Sequence, residues 1–169
     1  MSTLHSLINS NFPHPKYGRL LHHSDTQHPN VLHYSVQIND SESLGWEPTH
    51  CDRQRDIGRV AIWRIDWNRF QSAKWVKHLE REQIKKALHI SVNQFHEHWQ
   101  YDLFRFNCEH WARLVTNGDC RCSQIKEFKR LKQVPFMGII VVGVAGIVTG
   151  AWEHNGYAQE LIETELSAV

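Results

Sequence analysis

The stretch from Phe106 to Ala112 constrains this chain more than any other, because it places a cysteine at a strong helix start. Asn107 is a favourable N-cap residue, and Gly118 offers a left-handed stop. We therefore predict one short helix that begins at Cys108 and ends at Thr116. Unpaired backbone N–H groups and the positive end of the helix dipole favour a thiolate over a thiol at this position. Since the thiolate is the nucleophilic form, the Cys108 sulfur is the candidate catalytic atom.

The same stretch allows a purely structural interpretation. Cys108, Trp111 and Val115 share one face at helical spacing, which is typical of a small buried cysteine on an amphipathic helix. A lone cysteine indicates catalysis only when a histidine elsewhere in the chain can serve it. Both interpretations stay open at this point.

The composition describes one globular domain. A chain of 169 residues is long enough for a single core with a short appendage. Hydrophobic residues make up 41% and charged residues 22%, which argues against a disordered chain. A net charge of +1 gives no indication of a nucleic-acid partner. The cysteines lack disulfide-scaffold spacing and no signal peptide opens the chain, so we expect a reducing, cytoplasm-facing location.

Four residues carry zinc-ligand side chains in two short stretches: His50, Cys51, Cys120 and Cys122. Thiolates and imidazoles are the ligands that zinc prefers. The second stretch is Cys-Arg-Cys, however, and lacks the two-residue gap of ordinary zinc knuckles. We therefore expect neither a metal nor another cofactor.

Two segments alternate apolar and polar residues with the period of a half-buried strand. In the segment from Val31 to Ile38, His33 lies on the less apolar face. The segment from Arg59 to Ile65 is the next predicted strand, and a helix is expected from about Ser72 to Leu88. These patterns predict an α+β domain in which a small antiparallel sheet packs against the Cys108 helix.

The chain divides into four predicted regions. Residues 1–30 form a polar segment, mostly loop with a short strand at Gly18 to Leu21, and residues 31–133 form the main domain. Residues 134–152 form a hydrophobic helix, and residues 153–169 form an acidic C-terminal tail.

The uncharged run from Phe136 to Trp152 lies at the lower length limit for crossing a bilayer. Lysines and arginines before it and Trp152 at its end are typical interfacial anchors, with the basic side cytoplasmic. Gly146 and Gly150 would let two such helices approach closely, which predicts helix-mediated self-association. We expect a membrane anchor, and the alternative is a buried core helix or an interfacial helix.

The motif Asn-Cys-Glu-His-Trp at 107–111 resembles that of the lecithin:retinol acyltransferase-like family, which belongs to the NlpC-type papain-like superfamily. The similarity is most specific from Tyr101 to Gln124. The segment from His33 to Asp40 is similar to the family's second signature, although Ser35 and Asn39 replace its usual glycines. The resemblance implies a permuted papain-like fold in which His33 is the general base.

The resemblance also implies a second histidine that orients the first. The family places it about a dozen residues later, which falls near Gly45 here, so His50 is the nearest downstream candidate. In an alternative register His22 is the base and His33 orients it. We favour His33 as the base, because residues 24–30 are too polar and proline-interrupted for a buried strand.

By resemblance, we expect a membrane-associated thiol acyltransferase or phospholipase that acts on phospholipid acyl esters. Cys108 would form an acyl-thioester and pass the acyl group to an amine, a hydroxyl or water. One alternative is a cysteine peptidase or amidase, which the order of histidine before cysteine disfavours. The other is a catalytically inactive, membrane-tethered binding module.

Overall fold

The period-two segments of the sequence form the centre of an antiparallel sheet. The computed structural model describes residues 3–26, 28–50, 55–74, 78–125 and 157–168. Its strands are β1 (Leu20–Ser24), β2 (Leu32–Gln37), β3 (Glu42–Pro48), β4 (Arg55–Arg64), β5 (Gln71–Ser72) and β6 (Gln100–Asp102). They form one sheet in the order β5-β1-β2-β3-β4-β6, and every neighbouring pair is antiparallel. The predicted α+β class with an antiparallel sheet is confirmed.

The described chain also contains helices. They are α1 (Thr3–Asn11), α2 (Arg81–Ile90), which continues into a π-helical turn (Ser91–Phe95), α3 (Cys108–Asn117), and α4, which comprises residues 157–167. Helix α2 begins later than predicted, because Ser72 pairs with Leu21 as part of β5. Its start is set instead by the backbone N–H of Glu80, which donates to the side chain of Gln83 at 3.0 Å.

The cysteine helix packs against the sheet as predicted. Trp111, Leu114 and Val115 of α3 are fully buried in the same core as Val36 of β2 and Leu44 of β3. Helix α3 ends at Asn117, and Gly118 caps it with a φ of 68°, in the left-handed region that a glycine adopts without strain. The amphipathic pattern of the motif therefore fixes which face of α3 meets the sheet.

The N-terminal residues belong to the domain, although the sequence indicated a polar segment outside it. Leu20 and Leu21 are fully buried, and β1 runs from Leu20 to Ser24 rather than from Gly18 to Leu21. It pairs with β2 in a hairpin whose register sets His23 opposite His33. The polar residues after Ser24 make the turn of this hairpin. The sequence therefore indicated a strand before this turn, but the structure places that strand two to three residues later than predicted.

Residues assigned by sequence to an acidic tail also join the domain. Helix α4 buries Ala158 and Ile162 completely, and the ring of Tyr157 stacks on Trp99 with centroids 5.6 Å apart. The apolar positions of this segment lie on one face of the helix, and its acidic residues hide that pattern. The hydrophobic run at 136–152 lies outside the described residues. In the part of the chain that is described, no helix has the length and apolar character needed to cross a membrane.

Candidate active site

Cys108 is the first residue of α3, and its neighbours define the helix start. Asn107 has an extended backbone, and its side-chain oxygen accepts from the N–H groups of Glu109 at 2.9 Å and His110 at 3.2 Å. The ring of His110 in turn accepts from the Asn107 N–H at 3.2 Å. The predicted cap and the predicted position of the cysteine are confirmed. Only 4% of Cys108 is exposed, so its sulfur lies in a buried site at a helix N-terminus.

The backbone N–H of Cys108 has its own acceptor. The cap on Asn107 uses the two following N–H groups, and the Cys108 N–H donates to the phenol oxygen of Tyr101. Tyr101 lies on β6 and is buried, which raises its pKa well above the ordinary value. The phenol therefore stays protonated at neutral pH.

His33 of β2 is hydrogen-bonded to the side chain of Cys108. That bond is the main reason why the pKa of His33 is raised to about 9, and burial of the ring opposes the shift. The charge of Cys108 and a bond to Asp25 raise it further. At neutral pH the His33 ring is therefore protonated, and it carries a positive charge beside the sulfur.

Asp25 is the third residue of the site, beside His33 and Cys108. It was not predicted from the sequence. Its Oδ2 atom lies 3.0 Å from Nε2 of His33, while Oδ1 accepts from the N–H of His28 at 2.8 Å. The backbone N–H of Asp25 donates to Val31 across the hairpin turn. This turn carries the carboxylate to the imidazole. The available signal was an acidic residue at the head of a polar turn between two strands, a pattern too common to indicate a site.

His50, the predicted orienting residue, lies elsewhere. Its Nδ1 atom is 2.9 Å from Asp56 of β4, and its side chain is 67% exposed. Among the described residues, its hydrogen bonds are to Thr49 and Asp56 and not to His33. In the structure, Asp25 rather than His50 is the polar partner of the His33 ring.

Gly45, where the resemblance places a second histidine, has no room for a side chain. A Cβ atom built there would lie 2.5 Å from the indole of Trp63. That indole is held by Glu47, which accepts from its N–H at 2.9 Å. Trp63 therefore occupies the space of the missing histidine, and its ring stands edge-on to His33 at 6.4 Å.

The alternative register that makes His22 the base is not supported by the contacts. His22 lies near Tyr34, at 5.8 Å between ring centroids, and burial lowers its pKa. The ring next to His33 belongs to His23, at 5.3 Å. Burial lowers the pKa of His23 to about 4, so His23 is neutral at physiological pH. Of these three histidines, His33 is the one bonded to the thiol.

The other thiols are placed differently from Cys108. Cys120 is buried with its sulfur directed at the backbone oxygen of His110, and Cys122 donates to Glu109 at 3.1 Å. Burial raises the pKa of both thiols, which keeps them protonated. Cys51 lies outside the described residues. Within the described ranges, no group of three or more histidine, cysteine or acidic side chains could hold a metal ion.

No protein-family model matches the chain, and no curated protein matches it.

Proposed function

We propose that this protein is a cysteine-dependent acyltransferase or phospholipase that uses Cys108, His33 and Asp25. The single observation that carries the proposal is the His33 ring, which is bonded to the Cys108 side chain and to the Asp25 carboxylate. A nucleophile, a base and a group that orients the base are the three parts of a nucleophilic triad. A structural cysteine needs none of these partners.

The acylation step follows from these contacts. The Cys108 thiolate attacks the carbonyl carbon of an acyl ester, forming a C–S bond and a tetrahedral oxyanion. The oxyanion takes the place of the Tyr101 oxygen at the Cys108 N–H, and the phenol O–H of Tyr101 serves as a second donor. The C–O bond of the ester then breaks, and the imidazolium of His33 gives its proton to the leaving alkoxide. An acyl-thioester and a free alcohol result.

The second step returns the enzyme to its starting state. Neutral His33 takes a proton from an amine, a hydroxyl or water as that acceptor attacks the thioester carbonyl. The C–S bond breaks, Cys108 leaves as a thiolate, and the acyl group passes to the acceptor. Throughout both steps Asp25 holds Nε2 of His33, and in this proposal the other ring nitrogen, Nδ1, gives and takes the proton.

The substrate class comes from the resemblance to the lecithin:retinol acyltransferase-like family. That resemblance supports a permuted papain-like arrangement and phospholipid acyl esters as donors. It also supports attachment to a membrane through residues 136–152, with the catalytic domain on the cytoplasmic side. In this proposal Asp25 takes the orienting role that a second histidine has in the family. A cysteine peptidase or amidase would use the same three residues on an amide, and an inactive binding module would leave them unused.

Mass spectrometry of the intact chain tests the proposal. The full-length protein is mixed with phosphatidylcholine vesicles, without and with an added primary amine, and acyl adducts and lipid products are followed. We expect a thioester adduct that is lost in Cys108→Ala, kept in Cys120→Ala, and discharged faster by the amine. Cleavage of peptide amides without cleavage of lipid esters would support the peptidase instead. No adduct and no product with either class would support the binding module.

A further inference from the structure

Next to Cys108 lies a buried carboxylate that the proposed chemistry does not use. Glu109 is fully buried, and it holds four donors from the residues around it: Arg113 at 2.8 Å, Ser123 at 2.7 Å, Cys122 at 3.1 Å and Gln124 at 3.2 Å. These contacts lower the pKa of Glu109 against the opposing effect of burial, so the carboxylate stays charged. Losing any of these partners would leave the buried charge poorly solvated, which costs free energy. The carboxylate therefore holds the side chains around it in fixed positions.

Gln124 joins this carboxylate to the strand that carries the base. Its amide oxygen accepts from the backbone N–H of Leu32 at 2.5 Å, and its amide nitrogen donates to the backbone oxygen of Leu32 at 2.8 Å. The same nitrogen donates to Glu109. Gln124 is 4% exposed, so water does not compete for these bonds. One side chain therefore satisfies both backbone groups of Leu32 and also binds α3.

Leu32 lies at a point where β2 has a strand partner on only one of its edges in the described chain. Strand β1 pairs with β2 as far as Leu32, but β3 pairs with β2 only from Ser35 onwards in the described chain. At Leu32 the second edge of β2 therefore has no strand partner, and the Gln124 amide takes that place. Leu32 directly precedes His33, and Glu109 directly follows Cys108. The bridge thus connects the residue before the base with the residue after the nucleophile.

We propose that Gln124 is a positioning residue that, through Leu32 and Glu109, holds the imidazole of His33 against the Cys108 sulfur. A glutamine that served only the stability of the fold would leave the relation between these two side chains unchanged when removed. The effect on turnover rests on the proposed function, but the placement of His33 does not depend on it. The two can therefore be tested separately.

The test compares Gln124→Met, which keeps the length of the side chain and removes its amide, with Gln83→Ala as a matched control. Gln83 also bonds a backbone N–H, but at the start of α2. We expect Gln124→Met to lower the pKa of His33 from about 9 towards its ordinary value, measured by NMR titration of the ring. We also expect slower alkylation of Cys108 at pH 7, and a kcat lower by about 10²-fold with little change in KM.

Gln124→Glu provides a second variant in case Gln124→Met does not fold. It keeps an acceptor for the Leu32 N–H but cannot donate to Glu109, so the same direction of change is expected. A folded variant that is less stable but keeps the wild-type pKa of His33 and the wild-type alkylation rate would overturn the proposal. If the wild-type protein turns over no ester, the proposed function fails, while the NMR and alkylation results still decide the role of Gln124.

Discussion

Nε2 of His33 lies 3.0 Å from a carboxylate oxygen of Asp25, in the turn that immediately precedes its strand. The two residues are eight positions apart, and the β1–β2 hairpin brings them together. A carboxylate at this distance fixes the ring orientation and supports the protonated form of the imidazole.

Replacing Asp25 by Asn should therefore reduce acylation while leaving the fold intact. The amide keeps a hydrogen bond but removes the negative charge, so the ring loses part of its support and of its fixed tautomer. We expect a smaller loss than for His33→Ala, which should cost about 10² to 10⁴-fold in kcat. Stopped-flow measurement of thioester formation checks both values.

His50→Ala and His22→Ala are the matched controls for Asp25→Asn. Neither side chain is bonded to His33 or Cys108 among the described contacts, so both variants should acylate at the wild-type rate. Equal losses for His22→Ala and His33→Ala, with none for Asp25→Asn, would favour the alternative register in which His22 is the base.

The pKa of His33 should depend on the presence of the Cys108 sulfur. The pKa of His33 is raised to about 9, mainly by Cys108, and the nearby His23 is neutral above about pH 4. Because this pKa is raised on folding, protonated His33 stabilises the folded protein. That contribution to the free energy of unfolding is fully present below about 6.5, the ordinary pKa, and is lost as pH rises through about 9. Cys108→Ala should bring the NMR titration midpoint of His33 down towards its ordinary value. An unchanged midpoint would show that the sulfur is not the cause.

Alkylation should distinguish Cys108 from the other thiols. Cys108 lies at a helix N-terminus and interacts with the protonated His33, whereas burial raises the pKa of Cys120 and Cys122. Brief treatment with iodoacetamide at pH 7, followed by peptide mapping, should label Cys108 first, and His33→Ala should slow that labelling. Equal rates at all thiols in the wild-type protein would contradict an activated Cys108 and favour the binding module.

Membrane attachment is best tested by an internal deletion. Removing everything from residue 136 onwards would also remove Ala158 and Ile162, which are fully buried, and would destabilise the domain for an unrelated reason. Replacing residues 136–152 with a Gly/Ser linker of equal length keeps α4. We expect this variant to move from the membrane fraction to the soluble fraction, measured by flotation on a density gradient. Detergent-free solubility of the wild-type chain would argue against an anchor.

The local sequence determined the helix that begins at Cys108 and the strand that carries His33. The Asn107 cap and the Gly118 stop define α3 and place Cys108 at its start, because cap contacts span only a few residues. The period-two pattern around His33 likewise determined a strand with that residue on its polar face. Both were predictable because the interactions that decide them involve neighbours in the chain.

Only the tertiary structure decided which groups surround the two predicted residues. Asp25 reaches His33 through the register of a hairpin, and Gln124 reaches Leu32 across a separation of 92 residues. Gly45 excludes a histidine because Trp63, from the next strand, covers it. Such choices depend on strand order and on side-chain volume between distant segments. A polar turn, a glutamine and a glycine therefore gave no local indication of their roles, since their partners are brought to them only by the folded chain.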